Sequence, residues 1–477
     1  MVTDMVILHQ KNNTDFDILQ KRSNWIFFAL SFFSCIPLLY LFFKFGEAGF
    51  GYDIGIYRRY ALEYFQAFFD PPINPFAFTT FSSLILFLGD SFNSFLLGWY
   101  VILTFFTTYT FGLLVRKITA SNLLTGIFLL LFSTSIIQFE FFSGFYYRNL
   151  LALFLMFSTL ILLEYKSSFS KLPLLTLTAI HPLTAVVLFP TLFIVGIFQK
   201  ENRKLILTTL FFAGVGSILL SWGEFFGYIK TLFGFIQHRE ETLQYSSEFT
   251  GQFINSLQFL RFTLLYLPFT LIGIICVGKK YIFWSIFGII NIILIVFQFF
   301  LFERFYIFLN IVFLFFAAHG LERVCHWFQN KKVFYTFIVC YSLLLLSTQT
   351  LYVLRKTPII SSIELTEIKN ISAIIPQQSF ILSFSSADAS WLYGFAGNYK
   401  IIAPGTLHEN KWNYDQWSEF WSTKDIKKRA DLLNQYGTNE MYIYTREAFK
   451  DIAKDLFSND PHIQSISPHL WKYQFSP

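Results

Sequence analysis

The sequence predicts a polytopic α-helical membrane protein of about 11 transmembrane helices, with a C-terminal α/β domain outside the bilayer. Three observations predict it. Of 477 residues, 54% are hydrophobic and only 14% are charged, with a mean hydropathy of +0.50; a soluble domain carries about 25% charged residues. Phe alone supplies 65 residues, which suits lipid contact and a membrane interior. Apolar runs of about 20 residues, the length that crosses a bilayer, recur until residue 353 and then stop. The net charge of +6 lies in short clusters between these runs. They read as topology signals and not as a nucleic-acid patch.

A polar segment, Met1 to Ser23, precedes the first apolar run, 25–43. That run lacks a small-residue cleavage pattern and is expected to stay as a helix. Further spans are expected at 92–115, 121–138, 149–163, 205–222, 258–278, 281–300, 305–320 and 333–353. The region 172–198 differs, because basic residues flank it on both sides and Pro173, Pro182 and Pro190 punctuate it. Two short helices that dip in and return, broken near His181-Pro182, fit better than one crossing.

With the N-terminus inside (Lys11, Lys21, Arg22), the clusters Arg116/Lys117, Lys166/Lys171, Lys200/Arg203/Lys204, Lys279/Lys280 and Arg323/Lys331/Lys332 also fall inside. The loop around Asp53, the turn from Glu140 to Arg148, the polar loop 223–257, Glu303-Arg304 and the C-terminal tail then emerge outside. Beyond about residue 355 turn residues and charges return, which divides the chain into a transmembrane domain, 1–354, and an extracytoplasmic α/β domain, 355–477. In the latter, 379–384 and 440–444 read as strands, and 423–436 and 446–457 as amphipathic helices. The four cysteines show neither metal spacing nor a disulfide framework.

Chemistry is sought first where charge meets the membrane boundary, because charge there is costly. Gly51-Tyr52-Asp53 through Tyr60 places a carboxylate, Arg58, Arg59 and three tyrosines just after the first span. If helical, this segment puts Asp53 and Tyr57 on one face, an acid at the start of a ledge along the membrane and a candidate general base towards a hydroxyl. The plainer reading is an ordinary loop acid. Glu140 and Arg148 bracket a second turn, with Arg148 either a snorkelling interfacial residue or a phosphate contact. His181 is either a helix–helix hydrogen-bonding group or part of a cavity at the break. Glu303-Arg304 is either a local ion pair or a second phosphate contact. The run 237–241 reads as a solvated face, and Trp391, Trp412, Trp417 and Trp421 as core, with sugar stacking the rarer use. There is no Walker loop, dinucleotide fingerprint, zinc spacing or nucleophile elbow.

In architecture the chain resembles the GT-C superfamily of integral-membrane glycosyltransferases. The residues that carry the resemblance are Gly51-Tyr52-Asp53 through Tyr60, Tyr147-Arg148-Asn149-Leu150-Leu151, His181-Pro182-Leu183-Thr184 and Glu303-Arg304-Phe305. The resemblance implies an inverting hexosyl- or pentosyltransferase in a bacterial plasma membrane, moving a sugar from a polyprenyl-phosphate donor to a lipid, glycan or protein acceptor on the outer face. It makes Asp53 the catalytic residue, near the acceptor hydroxyl. Tyr57, Arg58, Arg59, Glu140, Arg148, His181, Glu303 and Arg304 become substrate or donor-phosphate contacts, with membrane lipids as surroundings and no nucleic acid. Many members carry adjacent acids in the first loop, whereas Asp53 has no acidic neighbour. One carboxylate is a poor divalent-ion site, so no metal ligand is assigned and Mg2+ or Mn2+ stays open as a cofactor. Two rivals stand beside this reading: a transporter or flippase, and a non-enzymatic assembly or sensor protein.

Overall fold

The computed structural model describes residues 23–66, 92–220, 253–299, 301–328, 330–404, 409–438 and 440–474. The basic residues before Ser23, the loop 223–252 with its charged run, and the end of the 205–222 span lie outside the described residues.

Among the described residues five helices are long and apolar enough to cross a membrane: Ser23–Gly49, Leu96–Thr119, Tyr147–Glu164, Phe302–Trp327 and Thr336–Arg355. Two bent pairs bring the number to seven if each is one span: Asn122–Thr134 with Ile136–Ser143, bent by 55°, and Ser256–Thr263 with Leu267–Val277, bent by 81°. Shorter apolar helices cover Ser168–Ile180, Pro182–Phe198 and Ile282–Val296. The sequence reading drew 121–138 and 258–278 as single spans, and each is interrupted for a local reason. Ser135 leaves the helical region (ψ 123°) and its side chain accepts a hydrogen bond from the Gln138 N–H, so one helix stops where the next is capped. Pro268 lacks an N–H to continue the ladder and sits in the first turn of Leu267–Val277. The break expected at His181-Pro182 is present, with helices Lys171–Ile180 and Pro182–Phe198 on either side.

The chain forms two compact units. The helical unit takes the described residues of 23–41 and 97–356. The second unit gathers described residues of 42–66 and 92–96 with those from 357 onwards. The segment after the first span therefore groups with the C-terminal domain, whereas the sequence-based division left it with the helices.

Within the helical unit the span Phe302–Trp327 is the centre, its apolar window 89% buried. Phe packing fills this core: Phe111 stacks on Phe157 at 4.0 Å and meets Phe128 edge-on at 4.3 Å, geometries favoured by the ring quadrupole. The helices Leu267–Val277 and Phe305–Trp327 approach through glycines. A side chain at Gly273 would strike the Phe316 carbonyl, and one at Gly320 the Phe269 carbonyl. Small residues allow such close approach where lipid gives no hydrophobic drive to association.

The second unit is built on a five-stranded sheet of order β2-β1-β3-β5-β4. Strands β1 (Phe380–Ser383), β2 (Lys400–Ile402) and β3 (Glu440–Tyr444) are mutually parallel in the pairs they form, while β4 (Ile463–Ser467) and β5 (Leu470–Gln474) add as an antiparallel hairpin beside β3. The predicted strands are β1 and β3, and the predicted helices are seen as Ile426–Asn434 and Lys450–Phe457. Trp412, Trp417 and Trp471 belong to the apolar core with the partly buried Trp421 packed against it, and Trp391 is buried as well, so the tail tryptophans serve packing.

The helix Asp53–Gln66 packs on the helix Ser386–Phe395 of this unit. Their contact runs backbone to backbone, because a Cβ at Gly55 would overlap the Ser390 carbonyl and one at Gly394 the Gly55 carbonyl. Gly394→Ala is expected to lower the unfolding midpoint of this unit by roughly several degrees, the effect of about 1–3 kcal/mol of overpacking. Tryptophan fluorescence during heating of the purified chain measures it. An unchanged midpoint would contradict the packing.

Candidate functional site

In the helical unit the site grows from the turn that leads into Tyr147–Glu164. Phe145 adopts a left-handed backbone (φ 59°), the chain reverses, and Tyr146, Tyr147 and Arg148 emerge in sequence. Arg148 reaches the helix break: its Nε and Nη2 donate to the Ile180 carbonyl at 2.9 and 2.7 Å. That carbonyl ends the helix Lys171–Ile180 and has no partner one turn on, so the guanidinium satisfies what the break leaves open. His181 caps the following helix, Nδ1 accepting from the Thr184 N–H at 3.3 Å and lying 2.7 Å from the Thr184 hydroxyl. Arg304 follows Leu301, another left-handed residue (φ 55°), and its guanidinium lies 5.2 Å from the Tyr146 ring centroid. Both arginines lie close enough to the buried His181 to couple to it electrostatically.

The structure thus brings Arg148, His181 and Arg304 together. It places Glu303 beside them in sequence but turned to the Phe253 N–H, which donates to its Oε2 at 3.4 Å. Glu140 is held by Lys356, whose Nζ lies 2.6 Å from each carboxylate oxygen; Lys356 closes the last apolar helix and pins Glu140 there. Sequence reading missed Lys356 and Gln138, and it gave Asn149 no role of its own. Gln138 and Asn149 are both buried, and the Gln138 amide oxygen and nitrogen and the Asn149 Nδ2 have no hydrogen-bond partner among the described residues. A polar residue beside each helix break was the available signal.

In the second unit Asp53 opens the helix Asp53–Gln66 and is 8% exposed. A carboxylate in the first turn favours the helix, since the unpaired N–H groups carry positive partial charge. Tyr57 follows one turn later in the same helix. Arg58 and Arg59 are engaged by the C-terminal domain. Arg58 donates to the Gly394 carbonyl and stacks over Phe395 at 4.8 Å. Burial pushes its guanidinium below the usual arginine value, an effect that Glu47 opposes and Arg59 reinforces. Arg59 donates to Asn398 Oδ1 at 2.8 Å and rests over Tyr393 at 5.4 Å. Lys369 adds an ion pair to Glu47 at 2.6 Å. These contacts fix the helix that begins at Asp53.

The same unit holds a buried polar cluster around Asp388, whose pairing with Arg446 sequence reading did not foresee. Asp388, 2% exposed, faces Arg446 Nε at 3.3 Å, and its other oxygen has no hydrogen-bond partner among the described residues. Burial raises its pKa to about 6, with Arg446 and the Ser385 hydroxyl opposing and Glu364 adding to the rise. Glu364 itself is held below its usual value, where hydrogen bonds from Ser361 and Glu447 outweigh burial. The signs differ. Asp388 takes up a proton more readily folded than unfolded, so its contribution is favourable below about pH 4 and is lost as pH rises to 6. Glu364 contributes above its unfolded value and loses that as pH falls. Between pH 4.5 and 6.5 this unit is therefore expected to lose stability on the order of 2 kcal/mol, and Asp388→Asn should flatten the slope. Chemical denaturation at a series of pH values checks it; an equal slope in both proteins would contradict the assignment.

Among the described residues no group of three or more His, Cys, Asp and Glu side chains is arranged to hold a metal ion. Asp53 with a tyrosine and two engaged arginines near it in sequence does not fit Mg2+ or Mn2+, which take oxygen ligands. Comparison with models of protein families gives no match, and comparison with curated proteins finds none similar to this chain.

Proposed function

We propose that the chain is an integral-membrane glycosyltransferase of about 11 membrane helices that moves a sugar from a polyprenyl-phosphate donor to a hydroxyl acceptor on the outer face of a bacterial plasma membrane. The observation that carries the reading is the pair of guanidinium groups, Arg148 and Arg304, at the His181 break. Two planar cations at a break between apolar helices suit a phosphate whose tail is hydrocarbon. The architectural resemblance to GT-C enzymes supplies the rest.

In this reading Asp53 takes the proton of the acceptor hydroxyl as its oxygen bonds to the anomeric carbon. The bond from that carbon to the donor phosphate breaks with its electron pair, and polyprenyl phosphate leaves. In the helical unit, Arg148 and Arg304 are the groups that would offset charge on a donor phosphate. Attack opposite the leaving group inverts the anomeric centre. Arg58 and Arg59 act by positioning, since they anchor the helix that Asp53 begins.

A transporter or flippase is the second reading, favoured by the bends of 55° and 81° in two apolar helix pairs. Interrupted helices are common where substrates cross. Orientation is tested first. Ser372 is exposed in the C-terminal domain. Ser372→Cys is expected to react with a membrane-impermeant maleimide in intact cells, above the background of the unsubstituted chain. Labelling only after permeabilisation would overturn outer-face chemistry.

A further inference from the structure

The end of the helical unit that carries its lysine and arginine clusters holds a cavity that none of Arg148, His181 and Arg304 lines. It measures about 300 Å3 and lies where four helices end or begin: Lys117 near the end of Phe92–Thr119, Glu164 at the end of Tyr147–Glu164, Gln199 just past Pro182–Phe198, and Lys280 just before Ile282–Val296. Helix ends meeting at one level mark a membrane–water boundary. The deep walls are apolar and buried, with Leu114, Leu192 and Val195 among them, whereas Lys117, Glu164, Gln199 and Lys280 are exposed at the rim. The cavity is thus amphiphilic, wet at one end and oily at the other.

The charges at the rim narrow the ligand. Two lysines and one glutamate leave one net positive charge, the complement of a single phosphodiester. Each ammonium rests against an aromatic face, Lys117 at 4.1 Å from the Tyr165 centroid and Lys280 at 5.1 Å from that of Tyr281. Among the described residues neither lysine is held in a salt bridge, so both can turn to an anion. Gln199 and Asn202 offer amides to a hydroxylated headgroup. The volume, at the small end of ligand pockets, takes a headgroup and the first part of one acyl chain, not a whole two-chain lipid.

We propose that this cavity binds the headgroup of a monoanionic phosphodiester lipid from the leaflet on the lysine-rich side. Basic pockets between membrane helices on that side suit anionic headgroups. The site is separate from the glycosyl-transfer reading and stands or falls without it. The test uses the purified full chain in detergent, stripped of co-purified lipid, and native mass spectrometry with phosphatidylglycerol, phosphatidylcholine and glycerol 3-phosphate as probes. Phosphatidylglycerol is expected to be retained about ten-fold more tightly than phosphatidylcholine, since each lysine near a phosphate contributes roughly a several-fold preference. K117Q/K280Q, at exposed positions that folding does not need, should erase the preference, and E164Q should strengthen it. Equal retention of the two lipids, or a preference that survives K117Q/K280Q, would overturn the proposal. Retention of glycerol 3-phosphate as tight as that of phosphatidylglycerol would overturn the lipid assignment in favour of a small soluble anion.

Discussion

Asp53→Asn is expected to lower sugar transfer by roughly 10²-fold or more, the usual contribution of a positioned acid–base group. The change is nearly isosteric, so the helix Asp53–Gln66 and its anchors to Gly394 and Asn398 should persist. Loss of the first-turn charge costs the helix about 0.3–1 kcal/mol, too little to account for such a fall. Asp53→Glu should recover little, because one methylene moves the oxygens by about an ångström and misplacement of that size is costly. Arg58→Ala provides a useful contrast. It leaves the carboxylate in place and loosens its support, so turnover should fall less than in Asp53→Asn while the second unit unfolds at lower temperature. Transfer by Asp53→Asn at the wild-type rate, measured per folded molecule, would remove Asp53 from the reaction.

Arg148→Ala combined with Arg304→Ala is expected to raise the donor KM by roughly 10²-fold, since a hydrogen bond to a charged partner is worth about 1.5–3 kcal/mol. The two positions are not equivalent. Arg148 also satisfies the Ile180 carbonyl with two N–H groups, so its loss should destabilise the break as well as weaken donor binding. Arg304 makes its described contact with the Tyr146 ring, and Arg304→Lys keeps the charge while losing the planar fork. A raised KM with unchanged thermal stability in Arg304→Lys identifies a phosphate contact. Unchanged KM in the double variant would leave both arginines as structural groups.

The helical character of the described residues between 25 and 353 was legible because hydropathy is a sum over many residues and tolerates local error. The strands β1 and β3 were legible as short apolar runs between turn signals. The kinks at Ser135 and Pro268 were not, because a cap or a proline inside an apolar run changes direction without changing hydropathy. Nor was the union of Asp53–Gln66 with the C-terminal domain. It rests on Gly55 against Gly394, a contact across more than 300 residues that no periodicity records. Of the candidate residues picked from sequence, Arg148, His181 and Arg304 lie near one another in the fold. Sequence could not foresee that Glu140 would be taken by Lys356 or that Arg58 and Arg59 would serve as anchors, since ion-pair choice depends on tertiary neighbours. The Asp388–Arg446 pair was hidden for the same reason.

The reading of the chain as a glycosyltransferase is tested most directly in detergent, where there are no compartments and a transporter has nothing to do. Purified chain would be incubated with a panel of synthetic short-chain polyprenyl-phosphate hexoses and pentoses and with extracted membrane lipids and glycans as acceptors. Mass spectrometry then follows both products. The account predicts that one donor releases polyprenyl phosphate in step with a sugar-mass gain on an acceptor, and that Asp53→Asn abolishes both. Folded wild-type protein that releases no polyprenyl phosphate from any donor, yet carries an intact donor across the bilayer when reconstituted in vesicles, would contradict it and make the transporter the correct reading.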